Sequence, residues 1–473
     1  MSRAARRAAV RSRGARGVGS PATLTPGMVP EQDTLPPTGG LRLLVLGDTA
    51  GTGFGTVTRD LGSAMARRGI DLRLLSMNED AGFAIDPAWP QGLRERTVLL
   101  GVPDGWMGVD GPAAASIVSK ALGVFSGLTV PGWVPEVVLI IGDHASLEMS
   151  PWWKLLPKHL PAFVYCPIEG IDLPPSWAKL WERIRPVAMC RFGADQIEAV
   201  TGERPPMVYH GIDPDSFWPV TGARPLVLRT PKGLVTLRSR AECRAFLGWP
   251  KASTILFRAD RLMPRKAYPA MFRALAPVLA RHPDVVLYLH CRTVDQGGNL
   301  WHEASKYPEH VRSRIGTTGF HDAGGGVPRE LLTCMYNAAD LYISTSAEGF
   351  GLTVAESLAC GTPAVALDYS SLPEVVGPAG VLVPEYALID NIYSYFWAIP
   401  KGDGYTHAVE RLVTDPAERR RLGMLGPGHV AQFSWEMAAE RFEAILTGAP
   451  VPAPGPVPPA RRLAALGLVE ARA

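Results

Sequence analysis

From Leu41 onward, short apolar runs alternate with amphipathic stretches of helical length. Apolar runs without polar alternation suit strands buried on both faces, and the alternation itself suits parallel α/β construction. Strands are expected at Leu41–Leu46, Leu72–Ser76, Thr97–Leu100, Val137–Ile141, Phe163–Cys166, Val187–Cys190 and Met207–Tyr209. Helices fit Gly55–Arg68, Pro112–Phe125, Trp177–Arg183 and Phe192–Thr201. Residues 214–250 are polar and proline-bearing, and a second alternation then opens at Ala252. Its strands are expected at Ile255–Phe257, Val285–Leu289, Ile315–Thr317, Leu341–Ser344, Ala364–Leu367 and Gly380–Val383. The pattern predicts two Rossmann-like, doubly wound domains facing a central cleft. Ligands of such sheets bind beyond the carboxyl ends of the strands.

Charge and cysteine usage narrow the class. Six arginines and no acid fall in the first twenty residues, which leaves 42 basic against 45 acidic side chains in the rest. The folded body is therefore not a basic nucleic-acid binder. Residues 1–40 have no apolar core of a secretory signal; they read as a disordered arginine-rich tail, with an organelle transit peptide as the alternative. Cysteines 166, 190, 243, 291, 334 and 360 are scattered, without a C-x-x-C pair. Reduced, buried thiols and a cytoplasmic setting are expected. No apolar run approaches the length of a membrane span.

The most informative segment is Ser344–Gly377. A strand-like run feeds a loop at Glu348-Gly-Phe-Gly351, and an apolar helix follows from about Leu352 until Gly361-Thr-Pro363 stops it. That loop supplies no serine or aspartate cap, so the first amides of the helix need another partner. A phosphate would serve, because a helix N-terminus concentrates donors and positive dipole. Gly349 and Gly351 would let a ligand approach the backbone. Glu348 at the mouth and Glu356 along the wall suggest hydroxyls to be held beside the anion.

Glu348-x7-Glu356, followed by G-T-P-x-V and Leu372-Pro-Glu374-Val-Val, resembles the retaining nucleotide-sugar glycosyltransferases of the GT-B fold, family 4. The resemblance implies an acceptor-side domain over residues 41–220 and a nucleotide-sugar-binding domain over 221–433. A closing helix at 434–447 would pack back on the first domain, ahead of a proline-rich tail at 448–473. It implies further that Glu356 holds ribose hydroxyls and Glu348 holds hydroxyls of the transferred sugar. Amides at Phe350, Gly351 and Leu352 would meet the donor, with Gly349 and Thr353 beside them.

Other segments fit the same reading. Arg261 and Lys266 match the spacing of the family's diphosphate-binding cations, and Arg265 is a further candidate, although Ala267-Tyr268 replaces the usual glycine. Two fixed cations in a water-poor cleft would stabilise a departing diphosphate. His144, after the strand Val137–Ile141, resembles the family residue beside the transferred sugar. The loop Gly51-Thr-Gly53-Phe-Gly55 would bring amides of Gly53 and Gly55 to the donor; it lacks the full G-x-G-x-x-G spacing and is not a nicotinamide site. Gly319-Phe320-His321 falls where the family cradles the nucleobase.

Neither a metal constellation nor a cofactor is expected; the donor is a co-substrate. Aromatic residues in 386–403 fit either a satellite core, which is preferred, or an acceptor-facing surface. Trp152-Trp-Lys-Leu-Leu suits a peripheral membrane contact or, preferably, a buried segment of the first domain. The expected activity is hexose transfer from a nucleoside diphosphate to an acceptor that the sequence does not identify, and oligomeric state is equally unread. Alternatives are an epimerase or phosphorylase on the same fold, or a scaffold that binds anionic partners through its tail.

Overall fold

A computed structural model describes residues 40–76, 89–99, 123–124, 126–127, 131–149, 153–154, 156–319, 327–384, 386–391 and 393–453. The first lobe is a six-stranded sheet of β1 (Arg42–Gly47), β2 (Asp71–Ser76), β3 (Thr97–Leu99), β4 (Val137–Ile141), β5 (Ala162–Cys166) and β6 (Arg185–Ala188). Its order is β3-β2-β1-β4-β5-β6, and all pairings are parallel. A hairpin of β7 (Leu226–Thr230) and β8 (Gly233–Leu237) follows, then the helix Arg240–Leu247.

The second lobe holds β9 (Thr254–Ala259), β10 (Val285–His290), the short hairpin β11 (Val294–Asp295) and β12 (Gly298–Asn299), β13 (Ile315–Thr317), β14 (Leu341–Ile343), β15 (Ala364–Leu367) and β16 (Gly380–Val383). Its six-stranded sheet runs β13-β10-β9-β14-β15-β16, so both lobes repeat one winding. Each winding reverses direction beside its first strand, and β1, β4, β9 and β14 all carry candidate residues just past their carboxyl ends. A last hairpin, β17 (Tyr386–Asp390) with β18 (Phe396–Pro400), stands outside both sheets. Strands β4 and β9 are buried at every position, which explains their unbroken apolar runs.

One expected strand fails here, and one segment holds elements that were not expected. Met207–Tyr209 makes a single bridge, with Ala188, because the chain then turns at Gly211 against Trp435, where a Cβ would lie 2.2 Å from that residue's nitrogen. The polar, proline-bearing segment 214–250, to which no element was assigned, contains β7, β8 and a helix capped by Ser239; its half-exposed strands carry too little apolar signal. The expected helix at Pro112–Phe125 lies almost wholly outside the described residues.

The lobes are tied by several bonds. The helix Trp435–Thr447, capped by Ser434, lies on the first lobe: Arg67 pairs with Glu436 and Arg68 with Glu443, and Arg441 donates to the Met207 carbonyl. Arg329 reaches across to Asp60 on the helix Gly53–Arg67. Phe396 of β18 exchanges backbone bonds of 3.0 and 3.2 Å with Ile171. The aromatic insertion is therefore a brace between lobes and not an isolated satellite core. Gly170 permits it, since a Cβ there would lie 2.0 Å from the Phe396 carbonyl oxygen.

No helix among the described residues is long and apolar enough to cross a membrane. Trp153 packs partly buried against the core, and its indole donates to the Leu147 carbonyl. All six cysteines are buried and free.

Candidate active site

Past β14 the chain forms a loop fastened from two sides. Ser346 donates to Oε1 of Glu348 at 2.7 Å, and the Glu348 amide donates to Ser370 Oγ at 2.9 Å. Ser371 Oγ donates to the carbonyls of both Glu348 and Phe350. The helix Leu352–Ala359 then opens on Gly351, whose φ of +97° is the left-handed region that glycine tolerates, and no side chain caps it. Its first amides and positive dipole end stand ready for an anion, as the sequence suggested.

Cations converge on this mouth from the loop after β9. Nζ of Lys266 lies 2.5 Å from Oε1 of Glu348 and 2.7 Å from Oδ1 of Asp260. Arg265 pairs with Glu348 at 3.4 Å and with Glu169 of the other lobe at 3.0 Å. Beneath them Arg258 is fully buried; it donates to the Lys266 carbonyl, to Thr345 Oγ1 and to Asp260, and so fixes one loop against the other. Arg261 stands at the rim, half exposed, and its guanidinium is held by Asp295. Of the three predicted cations, Lys266 and Arg265 are brought together and Arg261 is set apart.

Glu356 is buried along the same helix, and its Oε2 accepts from the Tyr336 hydroxyl at 2.7 Å. Burial pushes its carboxyl up to about 8 despite the tyrosine, and nearby Asp60 adds to the rise. At neutral pH it is a protonated acid that both donates and accepts, which suits a diol.

Two glycine expectations change, and the histidine is placed. Gly349 is a glycine because the lobes meet there: a Cβ would lie 2.2 Å from Cβ of Pro167. Gly55 does not offer its amide to a ligand. The helix begins at Gly53, two residues earlier than expected, and its cap Thr52 takes the Gly55 amide at 3.0 Å. A Cβ on Gly55 would meet the Ala50 carbonyl oxygen at 1.9 Å, so its role is close packing, while Gly53 is exposed with open space around it. His144, 1% exposed, has its ring 4.0 Å from that of Trp177 and 4.8 Å from that of Trp181. Neither ring nitrogen has a hydrogen-bond partner among the described residues, and burial holds its pKa down to about 3. It is a neutral imidazole and carries no charge to a ligand. Phe320 lies outside the described residues, as does His321.

Sequence reasoning missed Glu169, Asp260, Arg258 and Tyr336 as parts of this site. Glu169 follows β5, Arg258 lies at the end of β9 and Asp260 just past it, so strand position was the available signal for these three.

The profile of the family described as Glycosyl transferases group 1 matches residues 252–395, which include both converging loops and the Leu352 helix. Over that segment the chain is similar to the group 1 glycosyl transferases. Among similar glycosyl transferases is the D-inositol 3-phosphate glycosyltransferase of Thermomonospora curvata, 28% identical over 262 residues, covering 54% of this chain and 58% of the relative. Another is the GDP-mannose-dependent monoacylated alpha-(1-6)-phosphatidylinositol monomannoside mannosyltransferase of Corynebacterium glutamicum, 26% identical over 248 residues, covering 48% of this chain and 58% of that one. The chain spans 58%, 52% and 54% of the length of three such curated relatives.

Solved structures carry the fold. Sucrose-phosphate synthase from Thermosynechococcus elongatus aligns with a TM-score of 0.64 at 17% identity, over 86% of this chain and 99% of that one. HepE from Anabaena, in complex with UDP and glucose, aligns at 0.58 and 14%, over 86% and 100%. The chain has the GT-B architecture that the resemblance implied.

Proposed function

We propose that the chain is a retaining glycosyltransferase that moves a hexose from a nucleoside diphosphate to an acceptor by front-face displacement. The observation that carries this reading is the convergence of Lys266 and Arg265 on Glu348 at the uncapped mouth of the Leu352 helix. A relative named as a GDP-mannose-dependent mannosyltransferase supports a hexosyl donor.

In this reading the diphosphate lies against the amides of Phe350 to Thr353, with Lys266 and Arg265 as counter-ions and Arg261 at the rim. Glu356, with Tyr336, holds the ribose diol. Glu348 holds hydroxyls of the hexose, and His144 faces the sugar as a neutral group. The bond between C1 and the phosphate oxygen breaks, and its electron pair passes to the diphosphate, where fixed cations and dipoles meet the new charge. The acceptor oxygen bonds to C1 from the same face, and its proton passes to the departing phosphate oxygen. Glu348 is already engaged by Lys266 and Ser346, which disfavours it as a nucleophile in a double displacement. Six buried free cysteines support a reducing, cytoplasmic setting.

The test is product analysis of UDP-glucose and GDP-mannose without acceptor. A transferase releases nucleoside diphosphate and free hexose slowly, with the anomeric configuration first retained. An isomerised donor would replace this reading with an epimerase, and a stable glycosyl adduct on Glu348 would remove the front-face step.

A further inference from the structure

Each cation around the candidate diphosphate position already has a carboxylate: Arg261 has Asp295, Lys266 has Asp260 and Glu348, and Arg265 has Glu348 and Glu169. Only the last of these partners comes from the opposite lobe. Glu169 follows β5 of the first lobe, is 8% exposed, and reaches Arg265 at 3.0 Å, closer than Glu348 does at 3.4 Å. We propose that Glu169 is a positioning residue of the donor site, holding Arg265 while the site is empty and surrendering it to the diphosphate when donor binds. This rests on the donor reading given above.

Charge makes the two states exclusive. Facing Glu169 are Arg265 and Lys266, which attract it, Glu348 and Asp143, which repel it, and the hydroxyl-bearing Tyr393 and Tyr395 of the interlobe brace. A diphosphate on Arg265 would stand beside two carboxylates in a buried pocket, a concentration of like charge that the pocket relieves by protonating one of them. Glu169 is the one prepared for this, since burial pushes it up to about 7 even with Arg265 beside it.

The sign follows. Above pH 7 an ionised Glu169 competes for Arg265 and repels the ligand; below it the competitor is neutral. Diphosphate binding therefore strengthens as pH falls from 8 to 6.5, by up to roughly eightfold where binding requires the proton. Below that window the terminal phosphate, with a pKa of about 6, loses its own charge and reverses the trend. Glu356, raised to about 8, titrates nearby but is unchanged by substitution at 169.

The experiment is calorimetric titration of the full chain with UDP, GDP and inorganic pyrophosphate at pH 6.5 and 8, for the unmodified protein and Glu169→Gln. The expected result is weaker binding at pH 8 for the unmodified protein, and for the variant tighter binding at pH 8 with a flattened dependence. A variant that binds no more tightly at pH 8, or that loses melting temperature alone, assigns Glu169 a structural role and overturns the inference. Should the variant not fold, equal affinities of the unmodified protein at the two pH values overturn it. If none of the three probes binds the unmodified protein, the donor reading fails first and takes this inference with it.

Discussion

Glu374 of the second lobe caps a first-lobe helix that begins at Arg191. Its carboxylate accepts the amides of Arg191 and Phe192, each at 3.1 Å, and the Tyr209 hydroxyl at 2.5 Å. One carboxylate thus completes a helix N-terminus in a different lobe. Glu374→Ala should cost about 1–2 kcal/mol, as for a lost cap. A thermal melt reads the loss, and hydrogen exchange should show faster exchange at the Phe192 amide. Unchanged exchange there would show that the cap is not formed in solution.

Gly349 carries the contact between lobes at the site itself. A methyl group there collides with Pro167, so Gly349→Ala should part the lobes, raise the radius of gyration in small-angle scattering and depress donor turnover together. Gly53→Ala is the matched control for stability: with nothing within 4 Å of its Cβ at the first helical position, it should leave the melting temperature unchanged or slightly raised.

Glu356 predicts a pH-dependent stability. Its folded carboxyl titrates at about 8 and the unfolded one near 4.3, so between those values the folded state binds more protons. Stability from this group is therefore full below the unfolded value and is lost as pH rises through the folded one. Glu356→Gln removes the effect. Its advantage over the unmodified protein should grow by roughly 2 kcal/mol from pH 6 to pH 8. Parallel denaturation curves at the two pH values measure it, and equal differences would refute the buried acid.

Much of this was legible in the chain, for physical reasons. Strands β4, β15 and β16 fall where the apolar runs place them, because burial on both faces writes an uninterrupted signal. The uncapped start at Leu352 was legible from the lack of a cap residue in its loop. What escaped depends on contacts between segments remote in sequence. Gly349 read as a ligand glycine and Gly170 was given no role, yet at each a Cβ would collide with a residue of the other lobe, Pro167 and Phe396. Arg261 matched the expected spacing, but Asp295 holds it at the rim, and Arg265 was drawn inward by Glu169 and Glu348. Gly55 looked available until Thr52, three residues before it, took its amide. Pair partners of buried charges are fixed by the tertiary arrangement, and periodicity does not encode them.

The account turns on fixed charge meeting a departing diphosphate, and Lys266 bears most directly on it. Turnover of UDP-glucose and GDP-mannose by Lys266→Ala should fall by roughly 10²–10³-fold in kcat, the scale seen when one transition-state donor is lost, while a cooperative melt persists. A folded variant that turns over every accepted donor at the unmodified rate would contradict it.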